Sequence, residues 1–137
     1  MPFYQFTISP DSISARKKAE IAKAVTQAHC RTTGAPADWV SCSFVEIPAG
    51  GLFLAGVPDT RTRMVGLIRR RPEALKRELL LSLAQAWSDA TGEHIDKVIM
   101  FLVDVPGYQA FENGELLPEA DAEYENLKKL AVAGTAL

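Results

Sequence analysis

The second residue of the chain is a proline, preceded only by methionine. Removal of Met1 would leave Pro2 as the terminal residue, with a secondary amine whose pKa burial and nearby cations can lower into the range of an acid/base catalyst. Three further sets of residues could act with it: His29 at the end of an amphipathic stretch, the run Arg69, Arg70 and Arg71, and Glu112 just before Asn113-Gly114. An amine and an imidazole can move a proton, a guanidinium offers a planar fork to a substrate carboxylate, and a carboxylate can activate water. Each also has a plainer use. A histidine in a last helical turn favours the helix dipole, arginine clusters often sit on surfaces, as Arg61 and Arg63 are expected to, and His94 beside Glu93 reads as solvated. The chemical reading depends on these residues meeting.

The elements that would bring them together are legible in the pattern. Residues 3–8 are aromatic and β-branched and stop at Ser9-Pro10-Asp11, which reads as a strand followed by a turn. Ser14 is a plausible N-cap for a helix running to about Arg31, with Ile21, Val25 and Ala28 on one face and Gly34 at its end. Val40 to Ile47 returns to strand composition, and Pro48-Ala49-Gly50-Gly51 reads as a loop. Shifted by 58 residues, Lys18, Glu20, Gln27, Ala28, Thr33, Gly34, Asp38, Val40, Val45 and Pro48 recur as Lys76, Glu78, Gln85, Ala86, Thr91, Gly92, Asp96, Val98, Val103 and Pro106. Chance would give about two such identities over this length. The second unit is therefore a strand from about Arg61 to Ile68, a helix from Pro72 at its first turn to Ala90, and a strand from Lys97 to Val105. A loop or short hairpin is expected around Asn113-Gly114, then a helix over Pro118 to Val132.

The predicted fold is α+β. Two fused βαβ units, at about residues 2–50 and 60–108, form one domain over 1–137 with a C-terminal extension from 109. Right-handed crossovers make the strands of each unit parallel and put both helices on one face of a four-stranded mixed sheet. The other sheet face also carries apolar residues, so self-association is expected. A helix antiparallel to its strands returns His29 to the edge where the first strand begins. If the central strands pair antiparallel about a pseudo-twofold axis, Arg69, Arg70 and Arg71 reach that edge too, followed by the segment after Pro106 with Tyr108 and Glu112. A competing arrangement is a ferredoxin-like dimer, acting as a small-ligand binding module or cofactorless oxygenase, in which Pro2 is incidental.

Composition narrows the field. With 137 residues, 47% hydrophobic and 23% charged, the chain suits an ordinary globular domain. A formal charge of −2 gives no reason to expect nucleic acid, and no apolar stretch has the length of a membrane span. Cys30 and Cys42 show neither metal-ligand spacing nor the density of a disulfide scaffold, so buried thiols, a reducing cytoplasmic setting and no metal or other cofactor are expected.

Several stretches together resemble the tautomerase superfamily, specifically its cis-3-chloroacrylic acid dehalogenase branch. They are Pro2 with its strand, residues 22–29 ending in His29, Thr33-Gly34, residues 48–57, Gly66-Leu67-Ile68-Arg69, and residues 112–118 from Glu112 to Pro118. The resemblance covers nearly the whole chain and implies the MIF-like fold of two βαβ units, assembled as a homotrimer, with a small carboxylate as substrate. It implies that Pro2 is the catalytic proline, His29 the active-site histidine, Arg69 the first substrate-binding arginine and Glu112 the water-activating carboxylate. Two positions depart from the pattern. Pro72 stands where a second arginine would be, with Arg70 and Arg71 as near substitutes, and Phe101 stands where the dehalogenase has an active-site tyrosine. Tyr4 or Tyr108 are the hydroxyls that could compensate. A tautomerase or hydratase, with dehalogenation where the substrate carries halogen, is the implied enzyme; a catalytically silent trimer is the alternative within the same family.

Overall fold

The structure is a computed structural model and describes residues 1–121. The first unit comprises β1 (Phe3–Ile8), α1 (Ala15–Thr33) and β2 (Ser41–Glu46). A small hairpin, β3 (Phe53–Leu54) and β4 (Val57–Pro58), leads to the second unit of β5 (Arg63–Arg69), α2 (Glu73–Thr91) and β6 (Ile99–Val105). A second hairpin, β7 (Phe111–Glu112) and β8 (Glu115–Leu116), follows. The α+β architecture of two βαβ units is thus the one expected. The helix anticipated over Pro118 to Val132 has its first described helical residues at Ala120 and Asp121; its remainder lies outside the described residues.

Local chemistry explains the boundaries. Ser14 Oγ accepts from the Lys17 amide at 3.1 Å, satisfying a donor that the first turn of α1 leaves open. Pro72 stands at the N-cap of α2 rather than inside its first turn, with Glu73 supplying negative charge near the helix N-terminus. The two helices end alike. Thr33 Oγ bonds the His29 carbonyl at 2.8 Å and Thr91 Oγ bonds that of Trp87 at 2.8 Å, before Gly34 and Gly92 close the last turn. The hairpin β3–β4 escaped the sequence reading because its turn is Ala55-Gly56, with Ala55 at a φ of 52° where Asn or Asp would have signalled it.

The sheet runs β2-β1-β5-β6. Each outer strand is parallel to its own unit's inner strand, and β1 and β5 pair antiparallel at the centre, Phe3 opposite Leu67 and Phe6 opposite Met64. A ferredoxin-like sheet would insert another strand between the parallel members of each unit; here they are direct neighbours, and that alternative falls. Alternation sends Tyr4, Phe6, Ile8, Met64 and Ile68 towards the helices, where they pack with Ile21, Val25, Ala28, Leu79, Leu83 and Trp87. Trp87 stacks on Phe6 with centroids 4.9 Å apart. The opposite face is uncovered, leaving Val65, Phe101 and Val103 between 41% and 56% exposed.

Because Trp87 is fully buried at the centre of this packing, Trp87→Ala should destabilise the fold by about 3 to 5 kcal/mol. Equilibrium urea denaturation of both proteins measures the difference.

Candidate active site

The antiparallel pairing of β1 with β5 sets the geometry of one sheet edge. Phe3 lies opposite Leu67, so the chain entering β1 and the chain leaving β5 at Arg69 run side by side. Arg69 in turn pairs with Val105, the last residue of β6, which directs the following segment back across the same edge. There the hairpin β7–β8 turns through Asn113 and Gly114, both at positive φ, as a two-residue turn demands of its central pair. The turn presents Glu112 to the amino terminus. Glu112 Oε1 and Oε2 accept from the Met1 ammonium at 2.7 and 2.9 Å.

Pro2 is buried, and its carbonyl is held by the amide of Ser41 at 3.0 Å and by the Ser41 hydroxyl at 3.2 Å. In the second unit the carbonyl of Thr62 accepts from Ile99 at 3.0 Å in the same manner. Thr62 is therefore the structural counterpart of Pro2, which makes the repeat shift of the inner strands two residues longer than the 58 of the helices and outer strands.

A cavity of about 500 Å³ opens at this edge, on the face away from the helices. Its apolar walls are Phe3, Leu67, Val105, Phe111 and Leu117, and its polar contributions come from the Met1 terminus, Ser41, Gln109 and Glu112. His29 stands on the helix side of the sheet, buried at 1% exposure in the last turns of α1. Its Nδ1 lies 2.6 Å from the Tyr4 hydroxyl, and the two rings meet edge to face at 5.7 Å. Burial, then the positive charges of Arg71 and of the terminal ammonium, push the His29 pKa down to about 4, so the imidazole is neutral near pH 7. Burial also pushes the Tyr4 phenol well up, which keeps it protonated. Both groups are therefore neutral near pH 7, and the donor across this contact is set by which imidazole nitrogen carries the proton.

The three arginines separate. Arg69 is buried at the end of β5, and by alternation it shares the face of Leu67 and Val105. Arg71 is the arginine whose charge reaches His29 and Tyr4. Arg70 is exposed and turned towards Glu119, its Nε 3.6 Å from Oε2. Phe101 stands in the middle of β6 opposite Val65, on the uncovered face and away from the cavity lining. Tyr108 is exposed on the segment after β6. The sequence reading passed over Ser41, Gln109 and Phe111. Only Ser41 had a signal, as the first residue of a strand parallel to the one starting beside Pro2. Burial pushes the Cys42 thiol, opposite Tyr4 on β2, up to about 11, an unreactive state. Among the described residues no group of three His, Cys, Asp or Glu side chains could hold a metal ion, and no helix is long and apolar enough to cross a membrane.

A family model described as "Putative oxalocrotonate tautomerase enzyme" matches residues 1–129. The chain belongs to this tautomerase family. Among solved structures, the chain is similar to N1, a member of the cis-3-chloroacrylic acid dehalogenase family. Identity is 26%, with 98% of this chain and 99% of that one covered and a TM-score of 0.84. It is also similar to native Ps01740, at 32% identity over 80% of this chain and 99% of that one, with a TM-score of 0.76. A fused 4-OT protein solved as a symmetric trimer shares 25% identity over 84% of this chain and 94% of that one, with a TM-score of 0.76. No curated protein matches the chain.

The lowered His29 pKa has a consequence for stability. Between about pH 6.5 and pH 4 the unfolded chain binds a proton that the folded imidazole refuses, so stability is full above the unfolded pKa and is lost as pH falls towards 4. His29→Gln should remove this component. The fall in unfolding free energy from pH 7.5 to pH 4.5 should be smaller in the variant than in the parent by about 2 kcal/mol, measured by urea denaturation at both values.

Proposed function

We propose that this tautomerase uses the amine of Pro2, freed by removal of Met1, as a general acid/base on small unsaturated or 2-oxo carboxylates. It would catalyse keto-enol tautomerisation or hydration, with hydrolytic dehalogenation when carbon 3 of the substrate carries halogen. The observation that carries the reading is the grip of Glu112 on the terminal ammonium in the lining of a cavity. Pro2, His29 and Arg69 are buried at the same sheet edge without lining it, and Arg71 lines another cavity with Arg70 and Pro72. While Met1 is present, the Pro2 nitrogen is an amide without a basic lone pair, and Glu112 is engaged by the Met1 ammonium. Removing Met1 moves the terminal charge back by one residue, about 3.8 Å of chain, and releases the secondary amine.

In tautomerisation, neutral Pro2 takes the enol hydroxyl proton and returns a proton to carbon 3, while an arginine, Arg69 first and Arg71 second, holds the carboxylate. This step needs the amine in its neutral form. Hydration instead requires protonated Pro2 to protonate carbon 2 while Glu112, with His29, directs water to carbon 3. Two observations favour the tautomerase side. Phe101 offers no hydroxyl, and the hydroxyl of Tyr4 is already committed to His29, so neither is available to orient water. The apolar walls of Phe3, Leu67 and Phe111 also suit a substituent larger than a halogen atom.

The test is turnover of a 2-oxo acid enol such as phenylenolpyruvate, beside cis- and trans-haloacrylates and propiolates, by protein shown by mass spectrometry to start at Pro2. Pro2→Ala should lower tautomerisation by about 10²-fold or more, and protein that retains Met1 should be comparably inactive. Turnover at the parent rate in either would leave the proline without a role.

Assembly belongs to the same reading. The uncovered sheet face with Val65, Phe101 and Val103 needs a partner, and a homotrimer of this chain would cover it. The fused 4-OT relatives were solved as trimers, which supports that number. Light scattering should find three copies, and Val65→Asp should reduce the mass to one; an unchanged mass would show that this face is not the contact.

A further inference from the structure

Tyr4 has its hydroxyl in the buried interior, where a phenol must find a partner. The partner is Nδ1 of His29 at 2.6 Å. The backbone of β1 and β5 is arranged to permit this contact. Tyr4 lies opposite Gly66 in the antiparallel register, and its ring lies across the space a side chain would fill. A Cβ on Gly66 would come within 2.6 Å of Tyr4 Cε1 and 2.8 Å of Leu102 Cδ2. At the pseudo-twofold counterpart of this pair, Met64 opposite Phe6, no glycine is present and no polar pair forms; Phe6 stacks on Trp87 instead. Gly66 and Tyr4 are thus a local departure from the repeat, made at the end that carries Pro2. The second ring nitrogen of His29, Nε2, is buried and has no hydrogen-bond partner among the described residues. A buried polar nitrogen without a partner is costly, so an interaction on Nε2 is what the arrangement lacks.

We propose that Tyr4 is a positioning residue: it donates to His29 Nδ1 and fixes the imidazole as the Nε2–H tautomer, a rigid neutral group on the helix side of the Pro2 edge, with Gly66 making room for the ring. A neutral ring adds no charge beside Arg71 and the amino terminus, and a pre-oriented one need not reorganise during the reaction. In its catalytic aspect the proposal rests on the proline reading above. The tautomer itself does not.

The test uses the full chain starting at Pro2, with ¹⁵N-labelled histidine, as parent, Tyr4→Phe, His29→Gln and the double variant. Tyr4→Phe keeps the ring and removes only the hydroxyl. Nitrogen chemical shifts at neutral pH should show the parent His29 as a single neutral tautomer protonated at Nε2, and Tyr4→Phe should convert it to a mixture or to the Nδ1–H form. The Tyr4→Phe kcat on a 2-oxo acid enol should fall about tenfold, as loss of one oriented hydrogen bond predicts, and the double variant should be no slower than His29→Gln alone. A parent ring protonated at Nδ1, an unchanged tautomer in Tyr4→Phe, or a further rate loss when Tyr4→Phe is added to His29→Gln would each overturn the proposal. If the tautomer responds as expected while Pro2→Ala retains full activity, the positioning stands and the proline reading falls.

Discussion

The antiparallel pairing of β1 with β5 is the contact on which the rest of this molecule depends. It joins two βαβ units that would otherwise each leave an edge strand and a partly covered helix, and it merges their cores into one. Its register also decides which residues meet at the edge beside the amino terminus. With Phe3 opposite Leu67, the chain leaves β5 beside the amino terminus, so Arg69 and Arg71 arrive where Pro2 starts. A slip of one residue would exchange the faces of every side chain on β5, exposing Met64 and Ile68 and separating Tyr4 from the glycine that accommodates it.

The same pairing generates two chemically different ends from one duplicated plan. At one end stand Pro2, Tyr4 and His29; at the other, the corresponding positions hold Thr62, Met64 and Trp87. The backbone devices are shared, including the threonine that bonds back four residues and the glycine that ends each helix. What differs is the filling. Trp87 and Phe6 stack to make a dry core, whereas His29 and Tyr4 spend comparable volume on one buried hydrogen bond and an imidazole kept neutral by its surroundings. One half of the duplication fills its core with stacked rings, and the other holds a buried polar pair.

Charge is distributed with similar economy. The three consecutive arginines do not act as a block, because the chain is leaving a strand and successive side chains diverge. Arg69 remains on the strand face and is buried, Arg70 turns outward to Glu119, and Arg71 influences the His29 and Tyr4 environment. The terminal ammonium is neutralised by Glu112, which a hairpin of only six residues carries to it across 111 positions of sequence.

Much of this was determined by the sequence alone. Strand and helix periodicity, Ser14 and Gly34 as helix ends, and the recurrence of residues 18–48 at a shift of 58 specified two βαβ units, because these signals act within one or two turns of chain. Pro2, His29, Glu112 and the arginine run were recognisable as residue types, and right-handed crossover plus antiparallel central strands was enough to draw them to one edge. The tertiary structure decided what no local pattern carries. Only the register of β1 on β5 set Tyr4 over Gly66 and against His29, divided the arginines into buried, exposed and electrostatically coupled, and left Phe101 in mid-strand away from the cavity. The physical reason is one of range. Propensity and capping depend on neighbours in the chain, whereas a hydrogen bond between residues 4 and 29, or an ion pair between 1 and 112, depends on how separately formed elements are packed. Pro2 was identifiable from its place in the sequence, but the surroundings that would make its amine useful exist only in the fold.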